Sequence, residues 1–238
     1  MAGGLPHPVL LVDEAAKGVG LYKLNEVFHA QVIDSNVIYA WFAMVLLIIL
    51  GTLATRKLAM VPSGLQNFFE VVVGGLESFV VENIGEKGRK VFPFLCALFL
   101  FIITGNLIGL VPGLDSPTNN VNTNAAMALT VFAYYNFWGI RMWGAGYIKH
   151  FMGPFWWLVP LMLPIEVISH LARPLSLTLR LFGNVRGEEI VLVLLFALAP
   201  VVGTFPMYFL FSQADCIQAF VFFMLAMIYL KGSLEHAH

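Results

Sequence analysis

Of the 27 charged side chains in this 238-residue sequence, only ten lie between residues 91 and 230, and six of those ten fall in one window, Glu166–Glu189. Ionisable groups are costly at membrane depth and are kept there for function, so this cluster constrains both fold and activity. Charge is 11% of the chain, where a soluble domain carries about 25%. With 59% hydrophobic residues, the apolar side chains exceed what one soluble core of this length hides. The pattern is that of a polytopic membrane protein. It excludes a soluble enzyme, a disordered chain and a nucleic-acid binder, since a net charge of −1 offers no basic patch to neutralise phosphates.

Residues 37–55 carry no charge and match the ~20 residues needed to cross a bilayer. Arg56 and Lys57 follow at once, which places this end in the cytoplasm and residues 1–36 outside, as an extracytoplasmic segment. That segment lacks a basic start and a short apolar core and does not read as a cleaved signal or transit peptide. In residues 64–84, Gln66, Glu70, Glu77 and Glu82 interrupt an apolar stripe at helical spacing, predicting an amphipathic helix lying on the membrane. Lys87, Arg89 and Lys90 belong inside, and the uncharged stretch after them predicts a second span at 91–112. A third, 123–143, returns from a turn, GLDSPTNNVNT, whose only charge is Asp115. Arg141 and Lys149 mark the inner side again. Gly105 and Gly109 form a small-xxx-small pair, which predicts close approach of two helices.

Residues 155–199 admit two readings. Two ordinary spans flanking a polar loop at 172–189 would put Arg173, Arg180 and Arg186 outside, against the charge rule. One very long helix, bent by Pro160, Pro164 and Pro174 and steeply tilted, keeps its polar middle against protein. We adopt the second. A last span, 206–230, ends at Lys231 and leaves the C-terminus cytoplasmic. The expected fold is all-α, with about five transmembrane helices plus one interfacial helix in a single membrane domain, 37–238, the last two helices long and strongly tilted.

At 100° per residue, Glu166, Ser169, Arg173, Ser176, Asn184 and Gly187 fall within about 40° of Arg180, while Glu189 points to the opposite side. Arg180 lies in LSLTLRLF. A guanidinium there stays protonated and acts as a fixed cation, not a proton relay. It needs an anion, unless it snorkels to an interface or pairs with Glu188 or Glu189. On the last span, Asp215 and Gln218 share a face, with Ser212 one turn earlier. Asn106 and Asn122 are further polar candidates. Ser169 and Ser176 either bond back to their own helix or line a channel. His150, His170, Glu235, His236 and His238 are expected near the water boundary, and Cys96 and Cys216 read as packing residues, not a disulfide. No nucleotide, metal or nucleophile motif is present, so no cofactor or metal site is expected.

RPLSLTLRLFGN, residues 173–184, closely resembles the signature of subunit a of F-type ATP synthases. SPTNNVNT at 116–123 and IQAFVFFMLAMIYL at 217–230 resemble that family's hairpin and last helix. The resemblance implies an ion-conducting stator subunit of the bacterial plasma membrane. Its partners would be the ring of c subunits, the peripheral-stalk b subunit, the rest of the synthase and the lipid bilayer. The chain would catalyse no bond formation alone. By matching position, Arg180 would face the ring carboxylate and block a short-circuit between two half-channels. Glu189 would lie in the outer half-channel, Gln218 beside the arginine, and Asn184, Glu166, Ser169 and Ser176 along the aqueous paths, with Glu166 and Ser169 on the inner one. Where some relatives carry a histidine, this chain has Phe211, and Asp215 is the candidate to replace that relay. A stand-alone secondary transporter with its site at a broken helix is the alternative reading, although the chain shows no internal repeat.

Overall fold

The structure is a computed structural model that describes residues 35–56, 59–62, 64–111, 114–144, 159–199 and 202–234. The expectations for residues 1–34, Lys57, Lys149, His150, residues 155–158, Glu235, His236 and His238 lie outside these. The described residues form six α-helices: α1 (Ser35–Thr55), α2 (Leu65–Ile84), α3 (Gly88–Gly109), α4 (Val121–Trp143), α5 (Val159–Leu198) and α6 (Thr204–Leu234). A single 3₁₀ turn, Pro117–Asn119, sits between α3 and α4. The protein is an all-α membrane protein. By length and composition α1, α3 and α6 are apolar enough to cross a membrane unaided, whereas α4 and α5 have the length but carry more polar side chains.

The helix boundaries follow local chemistry. Gly64 precedes α2 at φ 58 and Gly85 ends it at φ 83, left-handed conformations that glycine adopts without a Cβ penalty. Gly144 ends α4 at φ 53. The Asn120 side chain caps α4 by accepting from the Asn122 backbone N–H at 2.8 Å, satisfying one of the free donors of the first turn. α3 begins at Gly88, taking Arg89 and Lys90 into its first turn, because Gly88 packs directly under Val80 and Ile84 of α2.

α5 is one helix of 40 residues containing Pro164 and Pro174, or about 60 Å at 1.5 Å per residue. Each internal proline lacks the N–H that would bond to the carbonyl four residues earlier, yet the helix continues through both. Leu177, Leu181 and Val185, spaced four apart, turn inward and are buried. They join one core with Leu95 and Ile102 of α3, Val131 and Tyr135 of α4, and Phe222, Phe223 and Leu230 of α6. Phe99 of α3 meets Phe223 of α6 edge-on with centroids 5.9 Å apart, and the Trp143 indole N–H donates to the Ser233 carbonyl at 3.2 Å, tying the end of α4 to the end of α6. α1 packs on the edge of this bundle through Tyr39 and Ala43 against Ile108.

Candidate ion path

The hairpin between α3 and α4 is fastened by side chains at both ends. Ser116 Oγ donates to the Gly105 carbonyl at 3.0 Å, Thr118 Oγ1 donates to Asn106 Oδ1 at 2.6 Å, and Asn124 Nδ2 donates to the Thr118 carbonyl at 2.7 Å. The glycine pair serves this hairpin. A Cβ on Gly109 would stand 2.6 Å from Ser116 Cβ, and one on Gly105 would stand 3.0 Å from the Pro117 ring. The small-xxx-small pair therefore admits a loop, not a second helix.

From the hairpin, Asn119 reaches α5. Its Nδ2 donates to Glu189 Oε2 at 2.8 Å and to Asp115 Oδ1 at 3.3 Å, and its Oδ1 accepts from Arg186 at 3.4 Å. Arg186 also pairs with Glu189. Behind this clasp lies a cavity of about 200 Å³ between the hairpin, the end of α3, α5 and α6; Asn106, Asp115, Glu188, Glu189, Tyr208 and Asp215 contribute its polar lining. Burial pushes the Asp115 carboxyl above its ordinary value, with the Glu189 charge adding to the rise and the Asn119 hydrogen bond opposing it.

On the other side of α5, Arg180 lies exposed in an open groove with Ala172, Leu175, Ser176 and Leu179. Among the described residues no hydrogen bond or ion pair to Arg180 is present; Glu189, one of its candidate partners, is taken by Arg186. One turn along, Asn184 Nδ2 donates to Gln218 Oε1 at 2.6 Å, linking α5 to α6, and Gln218 is 5% exposed.

Toward the start of α5, Glu166 meets Arg173 at 4.0 Å, and the Arg173 guanidinium stacks over the Tyr229 ring at 5.3 Å. Arg173 thus turns toward α6, while Ser169 and Ser176 stay exposed. His170 is not at a water boundary. It is buried, with Nε2 3.0 Å from Asn136 Oδ1 and 3.1 Å from the Tyr135 hydroxyl. Cys216 is exposed, in contrast to Cys96, which is buried.

The structure brings Asp215, Glu189 and Asn106 to one cavity, Asn184 and Gln218 to one hydrogen bond, and Arg180 and Ser176 to one groove. Sequence reading did not select Glu188, Asn119, Asp115 or Tyr208 as path residues. Glu188 had a signal, since it sits about 80° from Arg180 on the helix, on the same flank as the buried Leu177 and Leu181. Asn119 had none, because its role depends on where the hairpin folds.

The sequence profile described as "ATP synthase A chain" matches residues 37–231. The chain is 97% identical to the ATP synthase subunit a of Solidesulfovibrio magneticus over 238 residues, covering all of both chains. It is 62% identical to that of Nitratidesulfovibrio vulgaris strain DP4 over 243 residues, again covering both in full. Identity is 51% to that of Trichlorobacter lovleyi over 233 residues, 98% of this chain and 99% of the relative.

Proposed function

From the premise that this chain belongs to the ATP synthase A chain family and is a membrane component of an F-type ATP synthase, we propose that it is the stator's ion-conducting subunit. It offers two offset half-paths for protons that meet the rotor only through a ring of c subunits. The observation that carries this reading is the division of α5 into two faces. One face, with Glu188 and Glu189, closes a polar cavity with Asp215. The other presents Arg180 to an open apolar groove. Between the two, α5 turns Leu177, Leu181 and Val185 into the buried core, and on this reading a proton leaves the subunit and travels on another carrier.

That carrier is a ring carboxylate brought against Arg180. A permanent cation favours the ionised carboxylate and strips its proton, and because arginine never deprotonates it cannot pass the proton on. The cavity behind the hairpin is the outer half-path. Glu166 and Ser169 lie along the inner one, and Ser176 lines the groove of the arginine. Asn184 and Gln218 hold the two longest helices in register beside the arginine. Each proton crossing ~100 mV releases ~2.3 kcal/mol, less than ATP synthesis requires, so several are summed through rotation. The basic residues Arg56, Lys87, Arg89, Lys90, Arg141 and Lys231 support a topology with the N-terminus outside and the C-terminus cytoplasmic, in a bacterial inner membrane, with a b-subunit peripheral stalk holding the chain against rotation.

In proteoliposomes carrying the assembled synthase, Arg180→Ala is expected to abolish ATP-driven proton pumping while ATP hydrolysis continues. A variant that still pumps overturns the reading.

A further inference from the structure

Four carboxylates line the cavity between the hairpin, α5 and α6, and they are not equivalent. Glu189 is engaged on both sides, by Arg186 and by Asn119. Asp115 is engaged through the same Asn119 amide. Glu188 and Asp215 have neither a hydrogen bond nor an ion pair with the described residues, although Asp215 is 3% exposed. Asn106 is an independent pointer to the same place. It is 2% exposed, and its oxygen is held by Thr118 Oγ1 at 2.6 Å, which fixes the amide. Its Nδ2 donor is buried without a partner, while the residue lines the cavity. A buried donor is nearly always satisfied, by protein or by water. The cavity, at about 200 Å³, has room for about six waters at about 30 Å³ each.

Taking the outer half-path above as given, we propose that its proton is carried by Glu188 and Asp215 through a water that accepts from Asn106 Nδ2, and that Glu189 is the fastening of the hairpin. The protonated Glu188 carboxyl gives its proton to the water, which releases one of its own to the Asp215 carboxylate. Glu188 is left ionised and the water unchanged. Asp215 then delivers the proton along α6 toward Gln218, one turn away and facing the same side. Asn106 is a positioning residue: it orients the water and touches neither the ring nor the bulk phase. The charged and titratable groups facing the pair from the packed elements are Asp115 on the hairpin, Arg186 and Glu189 on α5, and Tyr208 on α6.

The test uses the intact synthase in proteoliposomes, with passive and ATP-driven proton flux as the readout and co-purification of the ATPase as the check on assembly. Glu188→Gln and Asp215→Asn are each expected to lower flux about tenfold or more. Glu188→Asp and Asp215→Glu, which keep the carboxyl, are expected to conduct, and they carry the test if a neutral variant fails to assemble. Glu189→Gln still accepts from Asn119 and is expected to lower flux less than either neutral variant. Asn106→Leu is expected to displace the pH profile of conduction, which a packing defect would not move. The proposal fails if Glu189→Gln blocks flux while Glu188→Gln or Asp215→Asn conducts like the wild type, or if the Asn106→Leu profile is unmoved. Arg180→Ala in the same vesicles separates this outcome from failure of the half-path reading itself, which alone is refuted by pumping in that variant.

Discussion

A single amide, Asn119, holds two carboxylates and a guanidinium together at the mouth of the cavity, and the balance there is set by burial. The Asp115 carboxyl is raised from 3.8, chiefly by desolvation. A group raised in the folded state favours folding fully below its unfolded value, and that contribution is lost as pH climbs through the folded value. At neutral pH Asp115 therefore opposes closure of its own hairpin. Asp115→Asn is expected to slow hydrogen exchange of the hairpin amides at neutral pH and to leave it unchanged well below 3.8; equal effects at both would refute the sign. The Arg186–Glu189 pair is nearly half exposed on each side, and such pairs contribute about 0–1 kcal/mol. Glu189→Gln, which keeps the Asn119 bond, is accordingly expected to lower stability by no more than about 1 kcal/mol in a detergent unfolding titration. At this scale the sequence was legible where helical angle decides which residues share a flank, as for Arg180 with Ser176 in one groove and Asp215 with Gln218, both buried on α6. It was not legible for Asn119, whose contacts cross 70 residues of chain.

The helices themselves follow from charge spacing. Uncharged runs of about 20 residues became α1 and α3, and the prohibition on outside arginines selected one continuous α5 over two spans. What periodicity does not encode is which surface a small residue faces. Gly105 and Gly109 admit the hairpin, not a helix, because Ser116 and Thr118 find acceptors on that flank of α3. Gly109→Ala forces a Cβ to 2.6 Å from Ser116 and against its backbone, whereas Gly105→Ala meets the Pro117 ring at 3.0 Å. Overpacking of this kind costs typically about 1–3 kcal/mol. Thermal unfolding is expected to rank Gly109→Ala below Gly105→Ala, and the reverse order would show that the hairpin can lift away from α3. His170 was likewise misplaced, because polarity alone assigns a histidine to water while its partners lie on another helix. Asn136 Nδ2 donates to the Phe132 carbonyl at 2.7 Å, and its oxygen faces His170. His170→Leu removes a hydrogen-bond partner of Tyr135 and Asn136 on α4 and is expected to cost about 0.5–1.5 kcal/mol, measured as loss of thermal stability in detergent.

At the scale of the whole molecule, α5 and α6 present a surface that the described residues do not cover. Along α5, Ile168, Leu171, Leu175 and Leu179 are exposed, and along α6 Phe209, Ile217 and Phe220 continue the same kind of surface. Lipid alone suits the apolar side chains, but it leaves Arg180 among them without an anion, a costly arrangement at membrane depth. On the c-ring reading proposed above, the covering surface is apolar and carries a carboxylate at the level of Arg180. No sequence argument on this chain alone reaches that surface, since on this reading its complement lies on other chains. It is accessible to cross-linking: Leu179 is 54% exposed and Leu181 is 0% exposed on the same helix. With the exposed Cys216 replaced by alanine, Leu179→Cys in the assembled synthase is expected to cross-link under mild oxidation to cysteines placed beside the ring carboxylate. Leu181→Cys, turned into the bundle, is expected to give no product. Equal yields from both positions, or products from Leu181→Cys alone, would mean that α5 presents a different face to the rotor and that Arg180 meets its anion elsewhere.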